Sequence, residues 1–423
     1  MSPTTVTIAE AAYAFFSHAR FARAMSIVVI ATALGTHLLR SLCGSAGLNA
    51  VLVTELILVA LMLLARRRVV KWNAFLPISL AAFIAWCALS SFWSYYPKAS
   101  VLGIASQICF AALALGIAAT RDSIQLIRAV GDVLRVFLGT SLILEVVSGV
   151  LIDGPIAFLG IKGDLLAGQG IQGIFGTRNV FIVVSLIALI TFFIEWRTKS
   201  VTREVSRWSL IGAGVCVVLS ASPVGWVTAG VTAVMAMFIY SLRKMEPGIR
   251  RGTEIAAVSV LGVLALALWV SRSAVLDLLS NSEILEYRLA LWSEEWRLAT
   301  MKVMDGWGWV GLWPRKTQPF TVMNNTSGDI HGSGLNIFLD TWLQVGIVGL
   351  VLLIVLLGLA FGRSWTLATA KKSEIYLWAP LVLSTLLISG LAESSALTEW
   401  GWYFVVLIAA KSSAEVSWRS LRN

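Results

Sequence analysis

The stretch from residue 336 to residue 362 reads NIFLDTWLQVGIVGLVLLIVLLGLAFG, and it decides the fold class. It holds one ionisable residue, Asp340, in a run longer than the roughly 20 mostly apolar residues that a membrane-spanning helix needs. The whole chain of 423 residues is similar, since 58% of it is hydrophobic and only 13% is charged. Soluble domains are about 25% charged. The composition therefore excludes a soluble globular enzyme and a disordered chain, and it predicts a protein whose solvent is the lipid bilayer.

Similar apolar runs recur along the chain, and they predict an all-α, polytopic integral membrane protein with about twelve transmembrane helices. The predicted spans are 24–42, 48–65, 73–92, 100–119, 126–150, 175–195, 208–221, 225–241, 253–272, 336–362, 375–392 and 399–412. The cysteines show no paired spacing typical of a metal site or a disulfide framework, and we interpret them as small core residues.

The net charge of +10 is explained by topology. If the N-terminus lies in the cytoplasm, about two thirds of the 33 lysine and arginine residues fall in inner segments, as the positive-inside rule expects. Both termini are then predicted to be cytoplasmic, and nucleic-acid binding is not expected.

Two of the predicted outer segments are not short connections. Residues 151–176 are rich in glycine, which predicts a backbone that bends or approaches a ligand closely. Residues 273–335 form a large extracytoplasmic loop, and long ordered loops are usually functional. The chain thus divides into spans one to nine over 1–272, this loop, and spans ten to twelve with a cytoplasmic tail over 336–423.

The large loop is predicted to contain an amphipathic helix. Arg288, Trp292 and Trp296 are spaced so that they share one helix face. A strip rich in glycine and tryptophan follows at 306–314, reads GWGWVGLWP and contains Trp309. We call it the tryptophan-rich strip. Tryptophan is enriched at membrane interfaces, but aromatic faces are also platforms for sugar rings, and the sequence leaves both interpretations open.

The end of the loop carries the histidine best placed for chemistry. His331 is flanked by glycine and serine just before the span at 336–362. A neutral imidazole near pH 7 can accept a proton, so His331 is a candidate general base.

Several of these stretches together resemble the superfamily of O-antigen ligases and of O-antigen and exopolysaccharide polymerases. The similarity rests on His331 followed by Asn336 and a G-I-x-G-L run, and on four further stretches in family order, LSSFWSYYP at 89–97, GIFGTRN at 173–179, EYRLALW at 286–292 and the glycine-rich 306–311. One departure is the turn at 220–225, where relatives often carry an arginine and this chain does not.

The resemblance implies an enzyme of the bacterial cytoplasmic membrane that transfers a glycan from an undecaprenyl diphosphate carrier to a lipid or glycan acceptor hydroxyl, on the outer side. Arg178 and Arg288 would bind the diphosphate and stabilise the leaving group, and His331 would accept the acceptor proton. Asn179 and Asn336 would fix loops or bond to sugar hydroxyls, and Trp292, Trp296 and Trp309 would contact substrate. Inversion at the anomeric carbon is implied, with no metal or other cofactor.

The resemblance does not separate a ligase from a polymerase, because both use the same donor chemistry. A lipid-linked oligosaccharide flippase or another transporter is the alternative from a different class. Transporters place ionisable residues at mid-membrane and show internal repeats. Glu55, Asp132, Arg135 and Glu145 are the in-span candidates, and they are few. No convincing repeat between the two halves is seen, so the sequence favours the enzyme.

Overall fold

The predicted all-α class is confirmed. A computed structural model describes residues 7–68, 70, 76–163, 168–272, 283–314, 317–327 and 332–416. These residues form helices and connecting segments, and the only β pairing among them is an isolated antiparallel bridge between Ile156 and Ile161. The α-helices are α1 Ile8–Ser17, α2 Ala19–Leu34, α3 Thr36–Ala65, α4 Ile78–Leu89, α5 Pro97–Thr120, α6 Ser123–Val146, α7 Arg178–Thr198, α8 Arg203–Leu219, α9 Pro223–Leu242, α10 Pro247–Val270, α11 Glu283–Met301, α12 Phe320–Ser327, α13 Ile337–Ala370, α14 Trp378–Ser389 and α15 Glu399–Glu415.

Within the described residues, six helices are long and apolar enough to cross a membrane, or seven if the bent pair α1 and α2 forms one span. The predicted number of twelve is therefore not confirmed. Two apolar helices that match predicted spans, Ile78–Phe92 and Glu374–Ser389, are shorter than the others. The predicted span at 24–42 is divided at Gly35, and its second half joins the predicted span at 48–65 in one helix, α3, with a kink at Gly44.

The interior of the bundle is built by helices with apolar residues on every face. α15 is buried along nearly its whole length from Trp400 to Ala410, and α7 is buried over most of its own. Such all-round apolar helices suit the centre of a membrane bundle, where they contact other helices on all sides.

Several ionisable side chains within the bundle have hydrogen-bond partners. Arg135 on α6 donates to Asp132 at 3.0 Å and also to Glu195 on α7, and its Nε donates to Ser209 on α8 at 2.8 Å. Glu55 accepts from Thr32 at 2.5 Å. Burying a charge is tolerated only with such partners, so these groups tie helices together.

A break in α13 holds the tryptophan-rich strip that follows α11. Gly346 has φ of +71°, and a side chain there would begin 2.0 Å from the Met304 carbonyl oxygen. The Ile347 N–H donates to Val303 O at 2.8 Å, and the Gly308 N–H donates to Gln344 O at 2.8 Å. Glycine is needed here because only it combines this backbone conformation with so close an approach.

The stretch at 89–97 packs against the same strip. Trp93 donates from its indole nitrogen to Asp305 O at 2.9 Å, and Ser90 Oγ accepts from the Trp309 N–H at 2.9 Å. A second buried cluster, including Leu291, Trp313 and Phe320, lies under α11 and α12. These contacts fix one end of the bundle, which we call the loop end: it carries residues 147–177, 283–314 and 332–336.

Candidate functional site

The glycine-rich segment before α7 is held in a defined shape. The Ile156 N–H donates to Ile161 O at 2.9 Å, and the turn between them contains Gly160 at φ +74°. The Gln172 side chain donates to Gly160 O. Gly163 follows at φ +83°, so Lys162 lies between two glycines in conformations that other residues rarely adopt.

Glu145, on α6, anchors the end of this segment where the chain rejoins the helical bundle. It is only 4% exposed, and its Oε1 accepts from the backbone N–H groups of Gln172 at 2.9 Å and Gly173 at 2.8 Å. A carboxylate with two such donors is well satisfied in a buried position. Glu145 therefore acts as an anchor for the loop rather than as a free acid in the site.

The first turn of α7 presents Arg178 and Asn179. Thr177 caps the helix by accepting from the Val180 N–H at 3.2 Å, and Arg178 is the first helical residue and is exposed. The N-terminal end of a helix carries a partial positive charge and unbonded N–H groups. The end of α7 and the Arg178 guanidinium thus both favour an anion.

Arg288 and Asn179, more than 100 residues apart in sequence, meet at one carboxylate. Glu393 Oε1 accepts from Asn179 Nδ2 at 2.6 Å and from Arg288 at 3.1 Å. Arg288, which is 4% exposed, also donates to Ala392 O. The Asn179 side-chain oxygen accepts from the Ser222 hydroxyl at 2.7 Å, in the turn where relatives often carry an arginine.

Burial is the main influence on Glu393 and raises the pKa of its carboxyl, while the neighbouring Arg288 opposes the rise. Glu393 is the functional candidate that sequence reasoning missed. It lies in the short connection between α14 and α15, and its only sequence signal is that it is the one charged residue in the stretch at 375–398.

A cavity of about 560 Å³ opens beside this network. Its lining comes from the end of α6, the glycine-rich segment, the first turn of α7 and α11. It consists of Glu145, Lys162, Gly163, Gln169, Gly170, Ile171, Gln172, Gly176, Thr177, Arg178, Asn179 and Tyr287. We call it the loop-end cavity. Its volume is in the range typical of ligand sites, and its lining is predominantly polar. The structure therefore brings Arg178, Asn179 and the α11 segment that carries Arg288 to one site.

Asn336 serves as the N-cap of α13. Its Oδ1 accepts from the Phe338 N–H at 3.0 Å and the Leu339 N–H at 3.1 Å, and its Nδ2 donates to Leu391 O at 3.1 Å. Of the two roles predicted for this residue, these contacts favour that of fixing a loop. Leu391 is next to Ala392 and Glu393 in the sequence. Asn336 therefore helps to hold the connecting segment that Arg288 contacts.

The three predicted tryptophans occupy different environments. Trp292 is half-buried and donates to Gly334 O at 3.1 Å, and Trp296 is 57% exposed and packs edge-on against Trp342 with centroids 4.8 Å apart. Trp309 is fully buried and lies 5.8 Å from the Phe83 ring. This burial leaves no face of the Trp309 indole open to a sugar ring, so the structure does not support it as a substrate platform.

The candidate base His331 lies outside the described residues, which resume at Gly332. The segment after it is tightly held: the Gly332 carbonyl accepts from the Trp313 N–H at 2.8 Å, and the Gly334 N–H donates to Asp340 at 3.2 Å. A side chain at Gly334 would begin 1.8 Å from Oε1 of Glu295, a fully buried residue of α11. Burial, with the nearby charge of Asp340, raises the pKa of Glu295 well above its ordinary value.

Over the described part of the chain, no three His, Cys, Asp or Glu side chains are grouped as a metal ion would require. No curated protein matches the chain at a significant level of similarity. The model of one family, O-antigen ligase, matches residues 208–354. The match extends from α8 into α13 and includes Arg288, His331 and Asn336, whereas Arg178 and Asn179 lie before it. It confirms the resemblance of this chain to the superfamily of O-antigen ligases and polysaccharide polymerases.

Proposed function

We propose that the chain transfers a glycan from an undecaprenyl diphosphate carrier to an acceptor hydroxyl, on the outer side of the bacterial cytoplasmic membrane. The observation that carries this proposal is the loop-end cavity, where the cationic first turn of α7 faces a polar space of about 560 Å³. The family match supports membrane glycan transfer of the O-antigen ligase type.

The cavity suits a diphosphate leaving group. As the glycosidic bond to the carrier breaks, the leaving phosphate oxygen gains negative charge. A guanidinium forms strong, charge-assisted hydrogen bonds with phosphate oxygens, and the α7 N-terminus adds N–H donors in the same direction. We assign direct binding of the diphosphate to Arg178. Arg288 is buried behind the cavity and holds Glu393, which in turn contacts Asn179 beside Arg178.

The transfer step needs one proton acceptor. The acceptor hydroxyl oxygen attacks the anomeric carbon from the side opposite the diphosphate, and the bond from that carbon to the phosphate oxygen breaks with its electron pair on the diphosphate. The hydroxyl proton moves to the His331 imidazole. A single displacement of this kind inverts the configuration at the anomeric carbon.

Three substitutions test these assignments. Arg178→Ala, Arg288→Ala and His331→Ala should each lower the rate of glycan transfer by about a hundredfold or more. Arg178→Ala and His331→Ala each remove a transition-state interaction, and Arg288→Ala releases the contacts that hold the turn presenting Arg178. The measurement is turnover of lipid-linked glycan by purified protein in proteoliposomes, with membrane insertion checked separately.

Arg297→Ala is the matched control. Arg297 lies on the same helix as Arg288, but it is exposed and pairs with Glu294 one turn away. Its loss should leave turnover within about twofold, since exposed pairs contribute little. Normal turnover by His331→Ala would refute the assignment of the base.

Product analysis distinguishes the two enzymes within the superfamily. A ladder of glycan lengths on the carrier identifies a polymerase, and a capped acceptor identifies a ligase.

A further inference from the structure

Lys162 is a second cation on the wall of the loop-end cavity, contributed by a different element from Arg178. Lys162 and Arg178 both line the cavity and are both exposed. Neither side chain forms an ion pair with another described residue, whereas Arg288 pairs with Glu393 at 3.1 Å. Of the three cations at this site, the two on the cavity wall are therefore the ones available to a ligand.

Among the described residues that line the cavity, Glu145 is the acidic one, and it forms no ion pair with either Lys162 or Arg178. Glu145 directs one carboxylate oxygen to the backbone N–H groups of Gln172 and Gly173, at 2.9 and 2.8 Å. Both donors belong to the glycine-rich segment. The acid thus anchors the loop, and the cavity wall keeps two positive charges.

The position of Lys162 is fixed by its neighbours along the chain. Gly160 and Gly163 both have positive φ, the Gln172 side chain bonds to Gly160 O, and a side chain at Gly163 would begin 3.0 Å from Gly154 O. A long lysine side chain has conformational entropy to lose on binding, and an ordered backbone limits the further loss. The Lys162 ammonium group is thus carried by a backbone that is already ordered before a ligand binds.

Arg288 is placed to act through other residues. Its guanidinium donates to Ala392 O and to Glu393, and Glu393 accepts from Asn179 Nδ2 at 2.6 Å. Asn179 is the neighbour of Arg178 in the first turn of α7. The chain of contacts from α11 through Glu393 to Asn179 therefore holds the turn that presents Arg178.

We propose that Lys162 and Arg178 form a two-cation clamp for the diphosphate of a polyprenyl carrier, and that Arg288 is a positioning residue behind the clamp. The inference rests on the proposed function and deepens it. A diphosphate carries two adjacent anionic groups, and two cations on separate walls match that distribution of charge. The lysine ammonium acts as a point charge, and the planar arginine guanidinium donates two parallel hydrogen bonds to phosphate oxygens.

Binding without turnover tests the clamp. The probes are undecaprenyl diphosphate and inorganic pyrophosphate, and the affinity of the full chain in nanodiscs is measured for wild type, Lys162→Gln, Lys162→Arg and Lys98→Gln. Lys162→Gln should weaken binding of undecaprenyl diphosphate by about tenfold or more, since one charge-assisted contact is lost. Lys162→Arg should restore most of it. Lys98, exposed in the first turn of α5, is the matched control and should have no effect.

The two probes separate a lipid ligand from a free anion. Undecaprenyl diphosphate should bind more tightly than pyrophosphate, because the polyprenyl chain adds contact with the bilayer and the protein. Equal affinities, or tighter binding of pyrophosphate, would contradict a carrier-lipid site.

Arg288→Lys tests the positioning role through the separation of kcat from KM. A lysine cannot contact Ala392 and Glu393 with the geometry of a guanidinium, so kcat should fall while KM for the donor stays within about threefold. Lys162→Gln should instead raise the donor KM. The clamp is refuted if Lys162→Gln binds the carrier as tightly as wild type does, and the positioning role is refuted if Arg288→Lys weakens donor binding as much as Lys162→Gln does. If wild type itself does not bind undecaprenyl diphosphate, the proposed donor is wrong, which is a different result.

Discussion

Glu295 is a buried carboxyl that lies beside Gly334, three residues after the candidate base His331 in the sequence. It is fully buried on α11, and neither of its oxygens accepts a hydrogen bond from another residue that the structure describes. Burial raises the pKa of the carboxyl, so the folded protein keeps the neutral acid up to a higher pH than the unfolded chain does. Glutamine has nearly the same shape and no charge to bury.

We expect Glu295→Gln to be as stable as wild type at pH 4 and more stable at pH 8. The pKa of Glu295 is higher in the folded than in the unfolded chain, so ionisation of the unfolded chain lowers the stability of wild type as the pH rises from the ordinary carboxyl range towards the folded pKa. Glutamine removes this pH dependence. The measurement is the Tm of both proteins in detergent across this range.

Glu295→Ala provides the comparison, because it should lower the Tm at every pH by leaving a cavity. A Glu295→Gln variant that is less stable than wild type at pH 8 would contradict the expectation. That result would mean that Glu295 is ionised and paired in the folded protein.

At the same scale, the sequence identified Asn179 and Arg288 but not Glu393, the carboxylate that joins them. Arg178, Asn179 and Arg288 were found from local motifs, and each motif is short enough to be read along the chain. Glu393 has no such motif, and its importance depends on contacts across more than 100 residues with Asn179 and Arg288. Trp309 illustrates the converse, because periodicity and composition did not distinguish an open aromatic face from one that packs against Phe83.

At the scale of elements, the break in α13 determines where the tryptophan-rich strip docks. The G-I-x-G-L run was recognised in the sequence as a family signature within a span, but not as a kink. The structure gives its first glycine, Gly346, a positive φ and contact with the backbone of Met304. A hydropathy pattern reports the apolar length of a helix and is insensitive to such a break.

Gly346→Ala should therefore lower the yield of folded protein severely. An alanine Cβ would begin 2.0 Å from the Met304 carbonyl oxygen in a conformation that L-residues rarely adopt, so α13 and the strip would have to separate. The measurement is the folded fraction by fluorescence size-exclusion chromatography, together with the Tm.

Gly358→Ala is the matched control in the same helix. A Cβ at Gly358 meets no atom within 4 Å, so this variant should be at least as stable as wild type because alanine favours the helix. Normal folding of Gly346→Ala would show that the strip does not dock in the break as described.

Span counting shows the limit of sequence reasoning at this scale. Long apolar runs such as that of α5 and α7 were identified from the sequence, since their length and composition suffice. Among the described residues, the count of twelve is not confirmed where the chain bends, because the predicted first span is divided between α2 and α3 at Gly35, and because α4 and α14 are short. Turns at glycines within apolar sequence do not alter the hydropathy on which the count depends.

At the scale of the whole molecule, the bundle brings separate segments to one site at the loop end. The stretch at 173–179, α11 and the connection between α14 and α15 meet around Glu393, although the chain between them crosses the bundle several times. The charged side chains of Asp132 and Glu195, within the helices, instead both pair with Arg135. Paired groups of this kind join helices, so the organisation of charge favours chemistry at the loop end over a transport path through the centre.

The most direct test of this account is transfer by the purified chain in proteoliposomes that contain an undecaprenyl diphosphate-linked glycan and an acceptor. Glycan should appear on the acceptor as undecaprenyl diphosphate is released in equal amount, and Arg178→Ala should lower the rate of both by about a hundredfold or more. Movement of the intact donor across the bilayer without release of undecaprenyl diphosphate would contradict it.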